Sequence, residues 1–227
     1  PVRTPIFAED LFGMFDGAGG VFAFSAFTGT CSSVVAAPGT VVARRSATAV
    51  LVDGAGTRAY SAVVNAAFPC PIPAVSSGLG TDAAWVRDSS GPPWFFSSLL
   101  GAWYAPPPDV VAVDAVVAAN CVGAVTTTGC VAFAPRTGAF VPLADGTATL
   151  QANPSSAPLF ATGSSSLHAF DERRASWTSI ARAGTGPTSV SIWRTGGIVF
   201  DGQTAFAYGA QAGSWSVQAL PGPVISQ

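Results

Sequence analysis

The chain has 227 residues, of which 49% are hydrophobic and 10% charged; ten arginines and no lysine stand against twelve acids, for a formal net charge of −2. The absence of any basic run excludes an interface built on phosphate contacts, so no nucleic-acid partner is expected. No run of about eighteen apolar residues is free of Pro, Gly or polar interruption, so no helical membrane span is expected either.

In chain order, residues 1–17 (PVRTPIFAEDLFGMFDG) carry two short apolar runs ending in Phe15-Asp16-Gly17, and residues 18–38 carry two more. The first residue is Pro, as expected of a processed chain or a fragment, and this leans towards an extracellular or periplasmic setting. Val52-Asp53-Gly54 repeats the turn, and Val86-Arg87-Asp88 and Ala161-Thr162-Gly163 repeat it more loosely. Pro69, Pro71 and Pro73 flank Cys70, and Pro106-Pro107-Pro108 closes the third segment; proline cannot donate to a ladder, so these fit outer edges or loops. Residues 153–166 read as loop. The last copy is the clearest: runs at 189–193, 197–200, 204–208 and 214–220, with Asp201-Gly202 suited to a tight hairpin and Gly213 to another reversal.

These segments are copies of one unit. The aromatic of the third run recurs as Phe24, Tyr60, Phe96, Phe133, Phe170 and Tyr208, at steps of 36 to 38 residues. Seven or eight residues later the slot of Trp215 is filled by Cys31, Phe68, Trp103, Phe140 and Trp177. Six units fill the chain and leave no room for a second domain, so residues 1–227 are expected to form one domain. Sheets of four short strands cannot bury both faces alone, so neighbouring units must stack. The expectation is therefore an all-β, six-bladed β-propeller with four short antiparallel strands per blade. Its ring would be closed by the N- and C-terminal segments, with residues 222–227 pairing beside the N-terminal strand; closure removes exposed sheet edges.

The unit resembles the kelch-type propeller blade, in which an aromatic on the third strand is followed by a turn and a Trp. The segments 170–177 (FDERRASW), 208–215 (YGAQAGSW) and 133–140 (FAPRTGAF) carry the likeness, although the paired glycines of that family are patchy here and the period is short. The resemblance implies a fold more than a function.

Candidate sites are few. Asp16, Asp53, Asp88 and Asp201 recur near the end of the second run; a ring of carboxylates can hold a cation or a sugar, and Asp in such turns also bonds its own backbone. Trp103, Trp177 and Trp215 occupy the repeat's packing slot, whereas Trp85, Trp94 and Trp193 fall outside it and are the rim aromatics on which a sugar could stack. Cys121 and Cys130 lie on successive runs of one repeat, where a local disulfide is conceivable, and buried free thiols are the alternative. No Cys/His grouping suggests a metal, and no cofactor motif is present. The single histidine, His168, has no partner recognisable from sequence, so catalysis is not expected. The reading that follows is a non-catalytic protein-protein interaction module, a subunit or accessory component of a larger assembly, because low charge leaves apolar surface for a partner to cover. The alternative is a glycan-binding propeller lectin.

Overall fold

The computed structural model describes residues 4–7, 10–15, 20–37, 40–111, 115–184 and 188–221. It is all-β. Six four-stranded antiparallel sheets follow one another along the chain, at residues 4–35, 41–69, 76–104, 116–143, 149–181 and 188–219, each a meander with its strands side by side in chain order. The arrangement is consistent with a six-bladed propeller.

The recurrent aromatics explain why the segments fold this way. Aromatic and β-branched residues suit a pleated, half-buried surface, and an aromatic spaced seven residues from a second one faces it across a short hairpin. Phe96 stands opposite Trp103, Phe133 opposite Phe140, Phe170 opposite Trp177 and Tyr208 opposite Trp215, with ring centroids 5.0 to 5.3 Å apart. Phe24 is opposite Cys31 in the same register. Sheet two departs by one residue: Tyr60 faces Ala67, and Phe68 faces Ala59.

Stacking is sequential. Leu51 and Tyr60 pack on Leu11 and Val21 between sheets one and two; Phe96 and Val86 pack on Val50 between two and three; Phe133 and Val122 pack on Phe95 between three and four. Phe170 and Leu159 then join Ala132, and Tyr208 joins Phe160 and Ala169. The slot tryptophans add a polar link to the preceding sheet: the indole N–H of Trp103 donates to Phe68 O at 3.1 Å, that of Trp177 to Val141 O at 3.0 Å and that of Trp215 to Thr178 O at 3.1 Å. A second ladder of links runs through Ser25, Ser61 and Ser97, whose hydroxyls donate to the carbonyls of Ala62, Ser98 and Pro135 one repeat later.

Between sheets six and one no apolar cluster forms among the described residues, and Phe22 and Phe24 are 47% and 37% exposed. Each sheet is open. The expected pairing of residues 222–227 lies outside the described residues.

Two local expectations are corrected. Residues 153–166 contain a strand, Leu159–Thr162, because Leu159 and Phe160 are fully buried between neighbouring sheets. At the last hairpin Asp201 is still paired, with Thr204, so Gly202 and Gln203 form the two-residue turn; only Gly202 has positive φ, +63°, the II′ rather than the I′ pattern.

Candidate functional site

Antiparallel meanders put the turns between first and second strands at one end of every sheet. Those turns surround a single cavity of about 1220 Å³. Sheet one contributes Asp10, sheet two Arg44, Arg45 and Ser46, sheet three Thr81, sheet four Asn120, sheet five Asn153 and Ser155, and sheet six Trp193, Arg194 and Thr195. All six sheets therefore meet at one mouth, even though no apolar cluster among the described residues joins the sixth to the first.

The mouth is polar and partly braced. Ser46 holds a left-handed backbone, φ +44°, in the two-residue turn between Arg45 and Thr48, and its hydroxyl donates to Asp10 Oδ2 at 2.6 Å. A β-carbon at positive φ is strained, a condition that persists where the surroundings impose it. Arg45 reaches across from sheet two to donate to the Ser155 hydroxyl of sheet five. The amide of Ala157 donates to Arg194 O at 3.0 Å, fixing the backbone beside Trp193, a residue that is 45% exposed.

A recess of about 170 Å³ adjoins the mouth through Asn120, Ala157 and Thr195, and ends on Asp171, Glu172 and Arg173. Burial pushes the Glu172 carboxyl up, and Arg136, 3.1 Å away, pulls it back only partly. Asp82 is likewise pushed up by burial, with Arg136 opposing. Arg136 thus stands between carboxylates of sheets three and five.

The structure distributes the residues singled out from sequence. Trp193 alone among the three tryptophans lies at the mouth. Trp85 is 6% exposed in the core between sheets three and four, and Trp94 is half-buried against the core between sheets two and three. The expectation that these two are rim aromatics is corrected: both sit on strands inside the stack rather than in turns. Asp53, Asp88 and Asp201 lie in or beside second-to-third-strand turns, at the opposite end from the mouth, and Asp16 lies outside the described residues. Asp53 accepts from the amides of Ala37 and Ala55 and pairs with Arg58; burial would raise its carboxyl, and these contacts more than offset it. The Arg182 guanidinium holds Asp201 below the usual range from 3.1 Å, and the Gly184 amide donates to it at 3.0 Å. The amides of Ser90 and Gly91 do the same for Asp88. Each carboxylate is thereby engaged locally, Asp88 within its own turn and Asp53 and Asp201 with the linker before their sheet.

All four cysteines are free. The Cys121–Cys130 disulfide is corrected by register: Cys130 stands opposite Val125, so Cys121 lies four residues along the ladder, roughly 13 Å away, where a bridge needs Cα atoms within about 7 Å.

His168 proves to have partners that sequence spacing did not reveal. Its Nδ1 is 2.7 Å from Ser179 Oγ across the hairpin, and its Nε2 is 3.0 Å from Asp145 Oδ2 in the linker between sheets four and five. These are the residue types of a nucleophile, base and orienting acid. His168 is 5% exposed, however, and neither the mouth nor its recess includes any of the three. What the chain of bonds does is fasten the linker onto the sheet.

No family model matches the chain, and no curated protein matches it. Among solved structures it is similar to apo AztD from Citrobacter koseri, at 12% identity and a TM-score of 0.43 over 97% of this chain and 72% of that one. It is also similar to PorZ, a bacterial surface component of the type-IX secretion system of Porphyromonas gingivalis, at 12% and 0.40 over 96% and 32%, and to Hsv2p of Kluyveromyces lactis, at 10% and 0.38 over 95% and 84%. Likenesses this distant bear on neither family nor function.

Proposed function

We propose that the six sheets close into a kelch-like, six-bladed propeller and that the chain is a non-catalytic interaction module, a subunit or accessory component of a larger assembly, which takes its partner at the mouth. The observation that carries this reading is the cavity drawing a turn from every sheet: a site built jointly by six repeats is placed where the repeats converge. Its chemistry favours holding over reacting. Arginine stays protonated and cannot serve as a base, and Asp10, the acid on the lining, is bonded to Ser46.

The second reading, a glycan lectin, is favoured by exposed Trp193 sharing the cavity lining with Asn153, and weakened by burial of the other two tryptophans. The test is a photo-crosslinking residue placed at position 153, at the mouth, or at position 55, in an exposed turn at the opposite end, followed by mass spectrometry after incubation with extract of the source. A stoichiometric protein adduct from 153 and none from 55 supports the reading. Adducts from 55 alone refute it, and glycan-array binding abolished by Trp193→Ala transfers the site to the lectin.

A further inference from the structure

Resting on the reading of the mouth as the docking site, we propose that its occupant is an acidic segment of a partner protein, its carboxylates paired with Arg194 and Arg45. Three of the ten arginines of a chain with net charge −2 line this one cavity. Among the described residues the lining carries one acid, Asp10, so the three arginines leave it positive on balance. Arg194 is exposed and forms no ion pair among the described residues. Its backbone carbonyl is held by Ala157, so its guanidinium is presented from a fixed base. Arg45 is steadied by Ser155, which lowers the side-chain entropy lost on pairing. Guanidinium groups bind carboxylates through two parallel hydrogen bonds, the strongest polar contact such a site offers.

Size and composition select the class of ligand. At about 1220 Å³ the cavity exceeds the roughly 300–1,000 Å³ of sites for small molecules, and suits a length of chain. A neutral glycan would want several aromatic planes, and the mouth offers one, Trp193. In the adjoining recess the acids are already paired, Asp171 with Arg174 and Glu172 with Arg136, and Arg173 donates to the carbonyls of Ala210 and Gln211, so the arginine side of the mouth is where an acidic segment pairs.

The test uses the whole chain and a fluorescein-labelled octaglutamate peptide, read by anisotropy, with a Gly-Ser peptide of equal length as control. The expected result is saturable binding of octaglutamate alone, weakened about tenfold by Arg194→Glu and by raising salt from about 0.05 to about 0.5 M, with Arg194→Lys retaining most of it. An unchanged unfolding midpoint for Arg194→Glu shows that the fold is intact, and Arg45→Gln provides a second variant should that midpoint move. Equal binding of the two peptides, or octaglutamate binding indifferent to both variants, overturns the proposal. Tighter binding of an oligogalacturonate than of octaglutamate also overturns it, in favour of an acidic glycan. A protein crosslinked from position 153 while octaglutamate fails to bind refutes the acidic class and leaves the docking reading standing; failure of both refutes both.

Discussion

Asp201→Asn separates a structural carboxylate from a binding one. Asp201 and Arg182 have side chains 1% and 7% exposed, and the guanidinium grips both oxygens, Nη2 to Oδ1 at 3.1 Å and Nε to Oδ2 at 3.2 Å. An amide in place of the carboxylate turns one acceptor into a donor facing Nε–H and leaves the Arg182 charge buried without its counter-ion. Breaking a buried pair from one side costs about 3–5 kcal/mol, which in a domain of this size lowers the melting temperature by about 6–20 °C. Asp88→Asn is the matched control. Its carboxylate caps exposed amides, and Asn keeps an acceptor for them, so less than about 0.5 kcal/mol is expected. The pH dependence carries the sign. Because Arg182 holds the Asp201 carboxyl below its ordinary value, its contribution is complete above the unfolded value of about 3.9 and is lost as pH falls through the folded one. Urea unfolding at neutral and acid pH should therefore show a smaller gap between wild type and Asp201→Asn as the pH drops. A neutral-pH cost below about 1 kcal/mol with an unchanged acid slope would falsify the assignment and restore Asp201 as a candidate ligand.

Other outcomes follow from the same contacts. Trp177→Phe and Trp215→Phe should each lose about 1 kcal/mol, read by urea unfolding, because each leaves a carbonyl of the preceding sheet without its donor, whereas Trp193→Ala should leave the midpoint within about 0.5 kcal/mol. Native thiol alkylation should label exposed Cys31 first; burial pushes Cys70 and Cys130 each up to about 11, so both should react slowly at mildly alkaline pH. A midpoint that falls on adding reductant would bring the disulfide back. A fluorophosphonate probe should leave Ser179 unlabelled, and labelling abolished by His168→Gln would make the Ser179–His168–Asp145 chain a catalytic site instead of a fastening.

The repeat was legible because its strongest signal crosses a hairpin. Two aromatics seven residues apart on third and fourth strands meet in register, and the same pair also packs on the preceding sheet, so the slot is constrained twice. Phe68 shows the limit: the spacing lengthens to eight in that unit, so the residue faces Ala59 and lies on the other face of its sheet, in the core between sheets two and three, while Ala67 takes the slot's place in the core between one and two. Tryptophans outside the slot were harder to place. Trp85 and Trp94 lie on second and third strands whose alternation is masked by burial on both faces, so neither could be assigned a rim position from spacing.

The mouth was not legible, and the reason bears on function. Its turns recur by position, at Asp10, Ser46, Thr81, Asn120, Ser156 and Thr195, as small polar residues that any turn favours and without a repeated aromatic, so a search keyed to aromatics passes over them. Positions that pack one sheet on the next must stay alike, since each neighbour presents the same face. If the mouth holds the proposed partner, its positions answer to that partner, and one partner cannot meet six identical turns in six identical ways. Arg44, Arg45 and Arg194 come from two of the six sheets, which suits an asymmetric ligand and disfavours one copy of a ligand per blade.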